Sequence, residues 1–194
     1  MKISFHGAAR TVTGSKHLVQ LDNGENFLLD CGLFQGMGKD TDTLNASFGF
    51  DASKIDFVIL SHAHIDHCGL LPKMVKDGYS GKIFATPATC DLAKVLMEDS
   101  ANIQEMDVKY ENKRRALLGL PYLKPLYTVD DALLAADRFE AIDYDKWHRI
   151  DENFEFCYTD AGHIIGSASV HVRITENGKK TMLTFSGDVG RYRD

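Results

Sequence analysis

The sequence predicts a mixed α/β (α+β) fold in which sheets carry helices packed on the outside. Three observations predict it. Short apolar or alternating runs fill the first 60 residues, apolar residues near helical spacing run through the middle, and alternating runs return from Phe154 onward.

Taken in order, residues 2–6, 16–21 and 25–30 read as strands, the last two joined by a hairpin at Asp22-Asn23-Gly24. Residues 32–52, rich in Gly, Asp, Asn and Thr, read as a loop. Phe57-Val58-Ile59-Leu60 is the pattern of a strand buried on both faces. Residues 67–77 read as a helix stopped by Gly78, with a strand at 83–85 behind it. Thr86-Pro87 opens a long helix, because proline's missing N–H has no partner in a first turn anyway. Leu92, Val95, Leu96, Ile103 and Met106 are its expected apolar face, and the charge-rich residues 109–115 are expected to be solvated. A shorter helix begins at Thr128, with Asp131 completing a capping box. Residues 154–159, 169–175 and 181–186 close the chain as strands, the last two joined at Glu176-Asn177-Gly178.

A chain of 194 residues fits one domain, and 44 % hydrophobic with 26 % charged residues excludes a disordered or fibrous protein. Acidic residues outnumber basic ones 28 to 22, so there is no general basic coat for nucleic acid, although a local patch or a bound metal can still attract phosphate. No run approaches the roughly 18 apolar residues of a membrane span. The opening Met1-Lys2-Ile3-Ser4-Phe5-His6-Gly7 has no apolar signal segment. The expectation is a cytoplasmic chain without a membrane partner. Cys31, Cys68, Cys90 and Cys157 form no CxxC pair and are expected to be reduced core thiols.

The chemistry lies in Ser61-His62-Ala63-His64-Ile65-Asp66-His67, directly after the buried strand. A turn there can aim His62 and His64 at one point and Asp66 and His67 at a neighbouring one. Imidazole and carboxylate suit zinc and related ions, and such sets leave a coordination position open for water. Asp160-Ala161-Gly162-His163 and Phe185-Ser186-Gly187-Asp188 each place one further ligand type at a strand end, weak singly and complementary to the first run. Asp30, also at a strand end, is a candidate partner that accepts a hydrogen bond from a ligand histidine. His6, His17, His148 and His171 lie outside these motifs and are assigned to structure or surface.

The HAHIDH run with Asp30, His163 and Asp188 resembles the metallo-β-lactamase superfamily. The runs Gly7-Ala8-Ala9-Arg10-Thr11-Val12-Thr13-Gly14-Ser15, Gly162-His163-Ile164-Ile165-Gly166-Ser167-Ala168 and Ser186-Gly187-Asp188-Val189-Gly190-Arg191 resemble its β-CASP branch of RNA-processing nucleases. This implies an αββα sandwich and zinc-dependent hydrolysis of RNA phosphodiesters by a two-metal hydroxide mechanism, as ribonuclease, exonuclease or endonuclease. It further implies that His62, His64 and His163 hold one Zn2+ ion, that Asp66 and His67 hold the other, and that Asp188 bridges. Asp66, His67 and Asp188 are then the candidate catalytic residues. Arg10, Thr11, Thr13 and Ser167 are candidates for contacting substrate phosphate, or equally for forming turns.

The chain stops six residues after Asp188, where the family continues into a cap domain that supplies a further histidine ligand. The resemblance therefore implies the N-terminal portion of a longer protein, with a second metal position short of one ligand. It also implies exposed strand edges that favour a homo-oligomer or a partner chain carrying the missing half. Two other readings remain open. One is a hydrolase of a small ester, thioester or lactam on the same fold; the other is a non-catalytic metal-binding assembly module.

Overall fold

Strand pairing divides the chain into two sheets laid face to face, in a computed structural model that describes residues 1–191. The first sheet runs β1 (Lys2–Phe5), β2 (His17–Gln20), β3 (Asn26–Leu29), β4 (Phe57–Ile59), β5 (Lys82–Ala85), β6 (Phe139–Ala141), in that order. Its first three strands are antiparallel, whereas β3 to β6 are parallel. The second sheet is antiparallel, with β7 (His148–Arg149) beside β8 (Phe154–Asp160), then β9 (Ala168–Glu176), then β10 (Lys179–Phe185) at its edge. Five α-helices lie among the described residues: α1 (Thr41–Ala46), α2 (Ile65–Cys68), α3 (Leu71–Lys76), α4 (Pro87–Leu117) and α5 (Val129–Ala136).

Alternation along the pleat splits the first sheet's buried residues between two cores. Leu18, Leu28, Val58 and Ile83 face the helices, while Val19, Phe27, Leu29, Phe57, Ile59 and Phe84 face the second sheet. There they meet Phe154, Phe156 and Tyr158 of β8 and Val170, Val172 and Ile174 of β9. Each such burial contributes about 1.5–3 kcal/mol before conformational entropy is counted. The Tyr158 hydroxyl donates to the Phe84 carbonyl at 2.8 Å, a polar tie across the inter-sheet core.

The structure departs from the sequence-based expectations in three places. The 32–52 loop contains α1 and a short 3-10 turn at Gly38–Asp40. The helix expected at 67–77 is two helices and begins earlier, with His64 as the N-cap of α2. It breaks because the Leu70 N–H donates to the Cys31 carbonyl (2.9 Å), a partner outside the helix. On α4 the fully buried seam includes Ala93, Met97 and Ala101, whereas Val95, Ile103 and Met106 are exposed; the two alanines let the helix lie close on the sheet. The layering agrees with the N-terminal part of an αββα sandwich: the helical residues of the cores all lie on the first sheet's outer face, and none joins the inter-sheet core. Among the described residues the layers are therefore helix, sheet, sheet; the outer helical layer on the second sheet is not among them.

Two strands escaped the sequence reading: β6 and β7, each too short to show a period. All four cysteines are free, with Cys31, Cys68 and Cys157 buried and Cys90 half-buried. No described helix is long and apolar enough to cross a membrane.

Candidate metal centre

The strands β3, β4 and β5 run parallel, so the segments leaving their carboxyl ends gather on one rim, where open parallel sheets commonly bind ligands. Asp30 follows β3, and Ser61 to His67 follow β4. The second sheet brings His163 from the turn after β8 and Asp188 from the segment after β10 to the same rim.

One ligand atom from each of His62, His64, His163 and Asp188 lies within 4.8 Å of the others. His62 Nε2 stands 3.1 Å and His163 Nε2 3.2 Å from His64 Nδ1, and Asp188 Oδ2 is 3.6 Å from His163 Nε2. Tetrahedral coordination with bonds of about 2.0–2.1 Å sets neighbouring donor atoms about 3.3–3.4 Å apart. The donor set and its spacing therefore fit a single metal ion. Beside it, His67 Nε2 lies 3.5 Å from Asp188 Oδ1 and 3.9 Å from Asp66 Oδ2. The two oxygens of Asp188 thus face two adjacent groups of donors.

Asp30 orients much of this. Its carboxylate is wholly buried and accepts from His67 Nδ1 (2.7 Å), Ser61 N–H (2.8 Å), Ser61 Oγ (3.0 Å) and Ser15 Oγ (3.1 Å). Donation from Nδ1 leaves the Nε2 lone pair of His67 free to face Asp66 and Asp188. Because Ser61 gives its one hydroxyl proton to Asp30, its lone pair accepts from His62 Nδ1 at 3.0 Å, and His62 Nε2 is left bare. Burial, reinforced by the nearby His67, pushes His62 down to about 4, so it is neutral and ligand-competent at neutral pH. His64 is lowered by burial and by His163. Burial alone would lower His67, but the Asp30 charge and hydrogen bond raise it overall. Burial alone would raise Asp30, and His67 holds it below the ordinary value.

Local geometry depends on close approach. Asp30 adopts φ +62°, an unusual conformation for a residue with a side chain, held by its hydrogen bonds. A Cβ on Gly32 would stand 1.7 Å from the Asp66 carbonyl, so only glycine lets the segment after β3 pass α2.

The remaining candidates fall apart in role. Ser167 is buried, and its hydroxyl accepts from the His163 and Ile164 N–H groups (3.1 and 3.2 Å), which makes it a turn-forming residue under His163. Thr13 uses its hydroxyl on both backbone groups of Gln35 at 3.0 Å. Arg10 is exposed at φ +62° and Thr11 is half-buried, on the loop that precedes Ser15. The Ser15 N–H donates to the Asp66 carbonyl at 2.8 Å, which pins that loop to the site. His17 is buried between Phe5 and Phe185, and His171 sits between Thr159 and Thr184. The sequence reading missed Ser61 and Ser15 as orienting groups; the only signal for them was a hydroxyl next to a strand end.

Residues 13–83 match the metallo-β-lactamase superfamily. The chain is 36 % identical over 190 residues to the ribonuclease TTHA0252 of Thermus thermophilus, covering 98 % of this chain and 38 % of that protein. It is 32 % identical over 190 residues to the endoribonuclease YSH1 of Candida albicans, covering 95 % of this chain and 20 % of that one. Its fold is similar to that of the FEZ-1 metallo-β-lactamase of Legionella gormanii, with TM-score 0.55 and 15 % identity over 99 % of this chain and 63 % of that one. The chain thus spans well under half the length of these two ribonuclease relatives.

Proposed function

We propose, on the premise that this chain belongs to the metallo-β-lactamase superfamily, that it carries the metal-binding part of a zinc-dependent nuclease of the β-CASP branch that hydrolyses RNA. The activity is proposed for the whole protein, since the chain spans 38 % of the ribonuclease TTHA0252. The observation that carries the proposal is Asp188, with Oδ2 3.6 Å from His163 and Oδ1 3.5 Å from His67, between two groups of donors. Zinc is assigned because three imidazole nitrogens and a carboxylate near tetrahedral spacing are an ordinary donor set for it. RNA is assigned because relatives aligned over 98 % and 95 % of this chain are named ribonuclease and endoribonuclease.

In this assignment His62, His64 and His163 hold one ion, Asp66 and His67 the other, and Asp188 is shared. A pair of divalent ions supplies positive charge for the phosphate oxygens and acidifies a water for attack at phosphorus. Asp66 accepts a hydrogen bond from the attacking water and orients it. Arg10, on the loop pinned to Asp66, donates to a substrate phosphate oxygen. Hydrolysis breaks one P–O bond, delivering the water's hydroxyl to phosphorus and its remaining proton to the leaving oxygen.

Elemental analysis after exchange into metal-free buffer is expected to find about two zinc ions per chain. Finding none overturns the ligand assignment. With zinc restored, Asp66→Ala is expected to slow cleavage of labelled single-stranded RNA by at least about 100-fold. Unchanged cleavage overturns the role given to Asp66.

A further inference from the structure

His163 belongs to the second sheet, yet its turn is fastened to the first turn of α4, which packs on the first. The Thr86 hydroxyl (2.6 Å) and the Thr89 hydroxyl (2.8 Å) both donate to the Gly166 carbonyl. Both threonines are buried, at 1 % and 0 % exposure. Gly166 adopts φ +83°, and a Cβ there would stand 2.6 Å from the Thr89 nitrogen and 2.7 Å from its hydroxyl. The turn can lie against the helix only because residue 166 has no side chain.

From Gly166 the contacts lead straight to the ligand. Ser167 accepts from the His163 N–H at 3.1 Å through its hydroxyl, while its carbonyl accepts from the Tyr144 hydroxyl at 2.9 Å. The same turn holds the Asp188 segment, since the Gly190 N–H donates to the Ala161 carbonyl at 2.9 Å. His62 and His67 have their Nδ1 atoms held by Ser61 and Asp30, but among the described residues no side chain holds Nδ1 of His163. The placement of His163 therefore rests on its backbone, and the backbone rests on α4.

Resting on the metal reading of the site, we propose that Thr86 and Thr89 are positioning residues for His163. Their hydroxyls seat the 161–168 turn on α4 and thereby set the affinity of the metal position built from His62, His64 and His163. The position built from Asp66 and His67 has its histidine held directly by Asp30 and meets this turn only through Asp188, so it depends on the seat less. The two threonines differ in one respect. Thr86 also caps α4 by accepting from the Thr89 N–H, so replacing it would fray the helix as well, whereas among the described residues the Thr89 hydroxyl serves only Gly166.

The test is a cobalt(II) titration of metal-free protein, with the absorption of the bound ion distinguishing the two positions and a chelator competing. Thr89→Val keeps the branched shape and removes the donor; it is expected to weaken the three-histidine position about 10-fold, with the other position weakened by a clearly smaller factor. Thr89→Ser is expected to restore it. Thr89→Ala, smaller and a better helix former, replaces the valine variant if that variant fails to fold. Binding by the variant within twofold of the unaltered protein overturns the inference, as does equal weakening of both positions, which would mean general loosening. An unaltered protein that takes up no cobalt overturns the metal reading itself.

Discussion

The ligands on the first sheet and those on the second arrive at a common point by different means. His62 and His67 leave the end of a strand buried on both faces, and Asp30, 0 % exposed with four donors around it, holds one directly and the other through Ser61. His163 and Asp188 stand on glycine-flanked segments with side chains 27 % and 46 % exposed, held by backbone contacts to α4 and to each other's turns. The first arrangement ties the ligands to the stability of the core. The second leaves them able to shift without unfolding anything, so their order has to come from tethers.

The largest effect on this contrast is expected from Asp30→Ala. It leaves His67 Nδ1 and the hydroxyls of Ser15 and Ser61 without their buried acceptor, and unfolding in urea is expected to show a loss of about 3–5 kcal/mol. A midpoint unchanged from the original protein would mean that the first-sheet half is no better anchored than the second.

A smaller effect is expected from Lys16, which braces the same half. Its buried ammonium donates to the Gly14 and Gly32 carbonyls (3.1 and 2.9 Å) and lies 4.1 Å from the centre of the Phe34 ring. Burial pushes it from the usual 10.5 down to about 8. Its folded pKa is thus lowered, the unfolded chain binds more protons between about 8 and 10.5, and the contribution of Lys16 to stability rises with pH across that window. Relative to Lys16→Met, the protein is expected to gain about 1 kcal/mol per pH unit within it, measured as urea midpoints at successive pH values. A difference between the two proteins that stays constant with pH would remove the charge from the account.

The smallest stability effect is expected at His163. His163→Ala should cost less than about 0.5 kcal/mol in urea, because the ring is partly exposed and meets the His62 and His64 rings only edge-on, yet it should lower the bound metal by one ion per chain. A loss comparable with that of Asp30→Ala would erase the distinction between the halves.

Much of this was legible in the chain. Phe57 to Leu60 announced a strand with two buried faces, and the Asn-Gly turns placed both hairpins. Thr86-Pro87 and Thr128 with Asp131 marked two helix starts to the residue. The buried face of α4 was not legible, because Val95, Ile103 and Met106 compete for that role on hydrophobicity alone, while the seating of the helix on the sheet gives it to Ala93, Met97 and Ala101. Nor was the break between α2 and α3, which depends on a hydrogen bond from Leu70 to Cys31.

Neighbouring residues therefore settle among themselves the strand alternation, the hairpin turns, the helix caps and the clustering of His62, His64, Asp66 and His67 within one turn of chain. The fold alone decides which distant partner each group finds, even for Asp30, whose place at a strand end had marked it as an acceptor for a ligand histidine. Asp30 meets the Ser61 backbone across 31 residues, and Thr89 meets Gly166 across 77. Neither is written in local pattern, because a hydrogen bond acts over about 3 Å of space and is indifferent to how much chain lies between its ends.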